Sequence, residues 1–172
     1  MPNFKELLPR VKAFAFDVDG VFSGNIYITS SGEQLRSMNI KDGYAVQLAV
    51  KKGFPVAIIT GGYSDAITHR FKALGVTDIY MKSSCKIDDF NDYLAKYSLD
   101  PAEVMYMGDD IPDFEVMQKA GLPVCPSDAA EEIRALSLYI SHIKGGDGCV
   151  RDVIEQVLRA RNLWLDHHAF HW

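Results

Sequence analysis

The chain has 172 residues, 48% of them hydrophobic and 24% charged, with a formal net charge of −5. This is an ordinary composition for one soluble domain with a sizeable core. The negative balance and the lack of a basic stripe exclude a non-specific nucleic-acid binder, and no apolar run approaches the roughly 18 residues of a membrane span.

Cys85, Cys125 and Cys149 are odd in number and lack a Cys-x-x-Cys spacing. They suit a reducing compartment better than a disulfide framework. The first twelve residues mix acids and bases without an apolar segment, so they do not read as a signal peptide. A cytoplasmic protein is expected.

In chain order, Ala13-Phe14-Ala15-Phe16 is a short apolar run ending in Asp17-Val18-Asp19-Gly20-Val21-Phe22. Such a run reads as a central parallel strand buried on both faces. Alternation sends Asp17 and Asp19 to the same side at its carboxyl end, where open α/β sheets bind ligands. Two acids held that close repel unless a cation or a shared proton intervenes. Alone, Asp-x-Asp-Gly also reads as an ordinary turn.

Two strands around a Ser/Gly turn, residues 26–29 and 34–40, form a projecting hairpin within residues 22–40. Its Ile26, Tyr27, Ile28, Leu35 and Met38 find little to pack on within the hairpin, which points to a partner surface. Asp42 is expected to cap a helix over residues 42–53. The apolar strand 55–59 then ends in Thr60-Gly61-Gly62, with Ser64 opening a helix to residue 74. A hydroxyl, two glycines and a helix start make a small anion cradle, or simply a Gly-rich turn.

Residues 78–80 form a third strand of the main sheet, and Lys86 starts a helix with Ile87, Phe90, Leu94 and Tyr97 on one face. A lysine there opposes the helix dipole, so either a nearby group wants its charge or it is a plain surface lysine. The strand 104–107 ends in Gly108-Asp109-Asp110-Ile111-Pro112-Asp113, a second acidic cluster in which Asp110 or Asp113 could be helix caps.

A strand at 122–125, a helix at 128–136, a strand near Tyr139-Ile140 and a helix after Gly145-Gly146-Asp147-Gly148 complete the pattern. Residues 162–172 read as a flexible tail, with Trp164, His167, His168, Phe170, His171 and Trp172 either packing on a neighbour or holding a metal. The alternation predicts one domain over 1–172, a doubly wound, Rossmann-like α/β fold with a parallel sheet and helices on both faces. Asp17, Asp19, Thr60 and Asp109 then converge on one sheet edge, with Lys86 joining from a helix start.

With these residues assembled, the chain resembles the haloacid dehalogenase superfamily of phosphotransferases over roughly residues 12–160. The four motifs read Asp17-Val18-Asp19-Gly20-Val21, Thr60-Gly61, Lys86 and Gly108-Asp109-Asp110-Ile111-Pro112-Asp113, in the family's order. The resemblance implies that Asp17 is the nucleophile and Asp19 the proton donor and later base. It implies that Thr60 and Lys86 bind phosphoryl oxygens. Mg²⁺ would be held by Asp17, Asp109 and the backbone carbonyl of Asp19, supported by Asp110 or Asp113.

Residues 23–59 and 61–85 are too short for a separate cap domain, so the site would be open in a monomer. Capless members often close it with a neighbouring subunit, and the hairpin fits that role. A homotetramer is therefore expected.

Within the capless group the resemblance is to phosphatases of 3-deoxy-D-manno-octulosonate 8-phosphate, which serve lipopolysaccharide precursor synthesis. It rests on Met38-Asn39-Ile40-Lys41-Asp42-Gly43-Tyr44, Ile58-Ile59-Thr60-Gly61 and Gly145-Gly146-Asp147-Gly148-Cys149-Val150-Arg151-Asp152. It implies contacts to the sugar-acid phosphate from Asp19, Asn39, Ile40, Lys41, Asp42, Gly43, Thr60, Gly61, Arg70 and Lys86. Gln47 and Gly62 stand where arginines are common in the family. Lys41 favours the eight-carbon acid over a nine-carbon, sialic-type acid. A non-catalytic oligomerisation domain of the same fold is disfavoured by the full catalytic set. A phospho-acceptor receiver module would place its acceptor Asp on a middle strand rather than the first.

Overall fold

Three apolar strands from distant parts of the chain make the centre of the molecule, described for residues 3–171 by a computed structural model. After a one-turn helix α1 (Phe4–Leu7), strand β1 (Ala13–Phe16) runs through the middle of the sheet with every residue buried. The hairpin strands β2 (Ile26–Ile28) and β3 (Gln34–Arg36) pair with each other and stand apart from the main sheet. Helix α2 (Ile40–Lys51), strand β4 (Val56–Ile59), helix α3 (Asp65–Ala73), strand β5 (Asp78–Tyr80) and helix α4 (Lys86–Tyr97) follow. Strand β6 (Val104–Met107), helix α5 (Phe114–Lys119), strand β7 (Leu122–Cys125), helix α6 (Glu131–Leu136), strand β8 (Tyr139–Ile140) and helix α7 (Cys149–Ala160) complete it.

The six-stranded sheet is parallel in the order β5-β4-β1-β6-β7-β8. The chain winds outward from β1 on one side, then returns to wind outward on the other. The ligand crevice of such a sheet lies beyond the carboxyl ends of the strands at that reversal. Residue size differs between the two faces of β1. Phe14 and Phe16 pack with Ile58, Met105 and the buried faces of α2 and α7. Ala13 and Ala15 face the other way, where Phe90 and Tyr93 of α4 fill the space they leave. The doubly wound α/β architecture is as expected, and no cap domain is inserted.

Three local expectations change. First, α2 begins at Ile40 because the side chain of Asn39 accepts the Lys41 N–H at 2.8 Å. Asp42 is therefore not the cap of its own helix. It is fully buried, and its Oδ1 accepts the Arg151 N–H at 2.6 Å, capping α7, whose own N-cap residue, Gly148, has no side chain. Second, α6 begins at Glu131 rather than Asp128, because Asp128 accepts the Gly145 N–H at 2.9 Å instead.

Third, the C-terminal tail, expected to be flexible, packs on its own chain over the described residues. Trp164 is buried with the Arg151 guanidinium 4.4 Å from its ring centroid, the Tyr44 hydroxyl donates to the Ala169 carbonyl at 2.5 Å, and Lys52 pairs with Asp166. Trp172 lies outside the described residues. Among the described residues no helix is long and apolar enough to cross a membrane.

One loop contact bears on the site. A Cβ at Gly145 would lie 1.9 Å from the Gly20 carbonyl oxygen, and the Gly146 N–H donates to the Val21 carbonyl at 2.8 Å. Backbone lies on backbone here, with no room for a side chain between.

Burial pushes Asp42 up to about 7, against the opposing Arg151 N–H and charge, and its Oδ2 is buried without a partner. An acid whose folded-state pKa is raised contributes stability that is lost as pH rises through that value. Asp42→Asn keeps an acceptor for α7 but carries no charge. Its Tm should exceed that of the native protein at pH 8, with the difference gone near pH 4; a deficit at pH 8 in thermal melts would contradict this.

Candidate active site

The carboxyl ends of β1, β4 and β6 deliver Asp17, Thr60 and Asp109 to one edge of the sheet. Lys86, the first residue of α4, enters from the side with only 6% of its surface exposed. Its ammonium lies 2.7 Å from Asp17 Oδ2 and 2.7 Å from Asp113 Oδ1. The unfavourable helix-start position is thus offset by two buried carboxylates. Asp113 itself is saturated. Oδ1 also accepts the Tyr106 hydroxyl at 2.5 Å, and Oδ2 accepts the N–H groups of Asp109 and Asp110 at 3.1 and 3.4 Å. Asp113 therefore holds Lys86 and the acidic loop in place.

Asp17 is 7% exposed, and its Oδ1 accepts the Val18 N–H at 2.6 Å. Burial and the Asp113 charge push it up to about 6, in spite of Lys86. Burial, then Asp17 and Asp113, push Asp109 up to about 7. No side-chain or backbone donor among the described residues reaches the Asp109 carboxylate. The loop under it is tight, since a Cβ at Gly20 would lie 1.8 Å from Asp109 Oδ2, and Gly20 has φ +85.

Asp17, Asp109 and Asp113 offer carboxylate oxygens within 4.8 Å of one another, the one such cluster among the described residues. A crowded, under-neutralised set of oxygens with one unpaired carboxylate fits a hard divalent cation such as Mg²⁺. Asp110 is not part of it, because its carboxylate accepts the Ile111 N–H at 2.8 Å and caps a short turn.

The remaining expected residues divide between two cavities. Thr60 is buried, with Oγ1 accepting the Gly62 N–H at 3.2 Å. Beyond Gly61 and Gly62 a cavity of about 920 Å³ opens between the hairpin and α3, lined by Arg36, Met38, Gly62, Tyr63 and Arg70 among others. Arg70 packs over Gly43, where a Cβ would meet its Nη2 at 2.3 Å. Ile40 and Lys41 instead line a separate cavity of about 440 Å³ with Tyr44, Arg151 and Trp164. Asn39 serves as a helix cap and Asp42 is enclosed, so neither is free to meet a ligand through its carboxyl or amide oxygen.

Two functional side chains are not apparent in the sequence pattern. The first is Arg36 of β3. Asp19 does not join the carboxylate cluster; Arg36 grips it through both oxygens, Nε to Oδ1 at 2.6 Å and Nη2 to Oδ2 at 3.0 Å. The other is Tyr106, the third residue of β6, whose hydroxyl completes the Asp113 network. Alternation along β6 places it on the same face as the motif, which was the available signal.

The family model for haloacid dehalogenase-like hydrolases matches residues 38–121. The chain is 37% identical over 161 residues to 3-deoxy-D-manno-octulosonate 8-phosphate phosphatase KdsC of Salmonella typhimurium, covering 93% of this chain and 86% of that one. It is similar to the crystal structure of the phosphatase of that name from Yersinia pestis (TM-score 0.90, 35% identity, 93% and 87% coverage). It is also similar to the one from Moraxella catarrhalis in complex with magnesium ion, phosphate ion and KDO (TM-score 0.89, 33% identity, 94% of each chain).

In the metal-free protein the raised Asp17 pKa means that its ionised form opposes folding above about pH 6. Asp17→Asn should therefore raise Tm in chelator at pH 8 while abolishing turnover. The gain should vanish near pH 4. A variant less stable than the native protein at pH 8 would show that the Lys86 attraction outweighs burial.

Proposed function

We propose that this chain, which belongs to the haloacid dehalogenase-like hydrolase family and is a phosphoric monoester hydrolase, acts on 3-deoxy-D-manno-octulosonate 8-phosphate. The products are the free sugar acid and phosphate, made in the cytoplasm as a step toward lipopolysaccharide. The observation that carries the chemistry is the Lys86 ammonium held 2.7 Å from Asp17 at the sheet edge, with Thr60 and Asp109 beside it. The substrate is supported by the relatives that bear this activity in their names and by the KDO held in the Moraxella catarrhalis structure. Three free cysteines support a reducing compartment.

In this reading the Asp17 carboxylate attacks phosphorus, forming an aspartyl-phosphate as the bond to the sugar oxygen breaks. Asp19 gives that oxygen its proton. Asp19 then takes a proton from water, which attacks phosphorus and breaks the bond to Asp17, releasing phosphate. Lys86 and the Thr60 hydroxyl hold the phosphoryl oxygens throughout. Mg²⁺, held by Asp17, Asp109 and the Asp19 backbone carbonyl, would supply the positive charge that lets a dianion approach a carboxylate.

A nine-carbon sugar acid 9-phosphate is the second reading, favoured by the room that Gly62 leaves beside the 920 Å³ cavity. Phosphate release across eight- and nine-carbon sugar-acid phosphates and hexose phosphates separates the two. A kcat/KM preference of about a hundredfold for the eight-carbon acid, about 2.7 kcal/mol, is expected. A flat, slow profile would reject it.

We further propose a homotetramer in which the hairpin closes a neighbour's site. Its cross-strand pair Tyr27 and Leu35 on one face is 60% and 48% exposed, and Ile28 on the other face is 72% exposed, apolar surface that the chain itself does not cover. Sedimentation should give the tetramer mass at micromolar protein, and Ile28→Glu should shift it to smaller species with reduced kcat/KM. A native monomer would rule the assembly out.

A further inference from the structure

The Arg36 side chain reaches from the hairpin into the site and is itself only 5% exposed. Its two bonds to Asp19 are unequal. The Nε–Oδ1 bond is 2.6 Å, whereas Nη2 lies 3.0 Å from Oδ2 and has a second acceptor in reach, Gln34 Oε1 at 3.2 Å. Oδ1 is therefore firmly anchored. Oδ2 can give up its bond while Gln34 keeps Nη2 satisfied.

The surroundings of Oδ2 agree with this division. A Cβ at Gly62 would lie 3.3 Å from Asp19 Oδ2 and 3.4 Å from Arg36 Nη2, so any side chain there would crowd that oxygen. Glycine leaves it open on the side where the 920 Å³ cavity begins. A general acid must present one oxygen to the leaving group while the carboxyl is held in line, because small losses of alignment are expensive in rate.

We infer that Arg36 is the positioning residue for Asp19, anchoring Oδ1 so that Oδ2 meets the leaving oxygen. Arg36 and Gln34 both belong to β3, so the orientation of the proton donor is set by where the hairpin sits. The inference rests on Asp19 being the proton donor, as proposed above. It adds a residue from the one element that stands outside the main sheet.

The test uses leaving groups that differ in their need for a proton: the sugar-acid 8-phosphate, a hexose 6-phosphate and p-nitrophenyl phosphate. Arg36→Ala should lower kcat/KM for both alkyl phosphates by about a hundredfold and leave the aryl phosphate nearly unchanged. Arg36→Lys, which retains one charged donor for Oδ1, should recover much of the loss, and it carries the test if the alanine variant melts early. A loss confined to the sugar-acid phosphate would make Arg36 a substrate-binding residue and overturn the inference. An equal loss on all three, or none, would overturn it as well. Asp19→Asn is the control. If it shows the alkyl-against-aryl contrast and the Arg36 variants do not, the positioning role alone fails. If Asp19→Asn lacks the contrast, the proton-donor assignment fails with it.

Discussion

A buried ammonium between two carboxylates is the interaction on which the site depends. Lys86 brings one positive charge to Asp17, Asp113 and Asp109, while burial and the neighbouring carboxylates still hold Asp17 and Asp109 above the usual carboxylate range. Burying charges in this way stabilises little by itself and is tolerated when further hydrogen bonds satisfy the partners. Here Tyr106, Val18 N–H and the loop amides do so for every acid except Asp109. The protein thus folds around a deficit of positive charge. A divalent cation would balance it, which ties cation binding to relief of repulsion already present.

The same arrangement explains why the helix α4 begins where it does. A lysine at a helix start is poorly placed for the dipole, yet moving it by one residue would break both 2.7 Å contacts. The fold accepts a weaker helix start to hold a charge at the sheet edge. Asp113 shows the complementary compromise. All its hydrogen-bonding capacity goes into holding other groups, leaving Asp109 as the open carboxylate.

The parts of this protein that are legible in its sequence are those with short-range causes. Apolar runs such as Val104-Met105-Tyr106-Met107 announce buried strands because both sheet faces must be covered. The clustering of Asp17, Thr60 and Asp109 follows from strand ends meeting at one edge. Two features escape because their causes are long-range. Asp42 reads as a cap for the helix beside it, but the unsatisfied donors that claim it belong to α7, more than a hundred residues later. Arg36 reads as a hairpin surface residue until folding sets it against Asp19.

The seam where Gly145 lies on Gly20 gives the two acids of the Asp17-Val18-Asp19 stretch different supports. The loop after Asp17 is clamped by backbone contact and a hydrogen bond to a loop that leads straight into the buried helix α7. Asp19, by contrast, is held by Arg36 of the hairpin, which stands outside the main sheet. Two acids one residue apart in sequence therefore take their positions from different parts of the fold, Asp17 from Lys86 and the loop before α7, Asp19 from the hairpin.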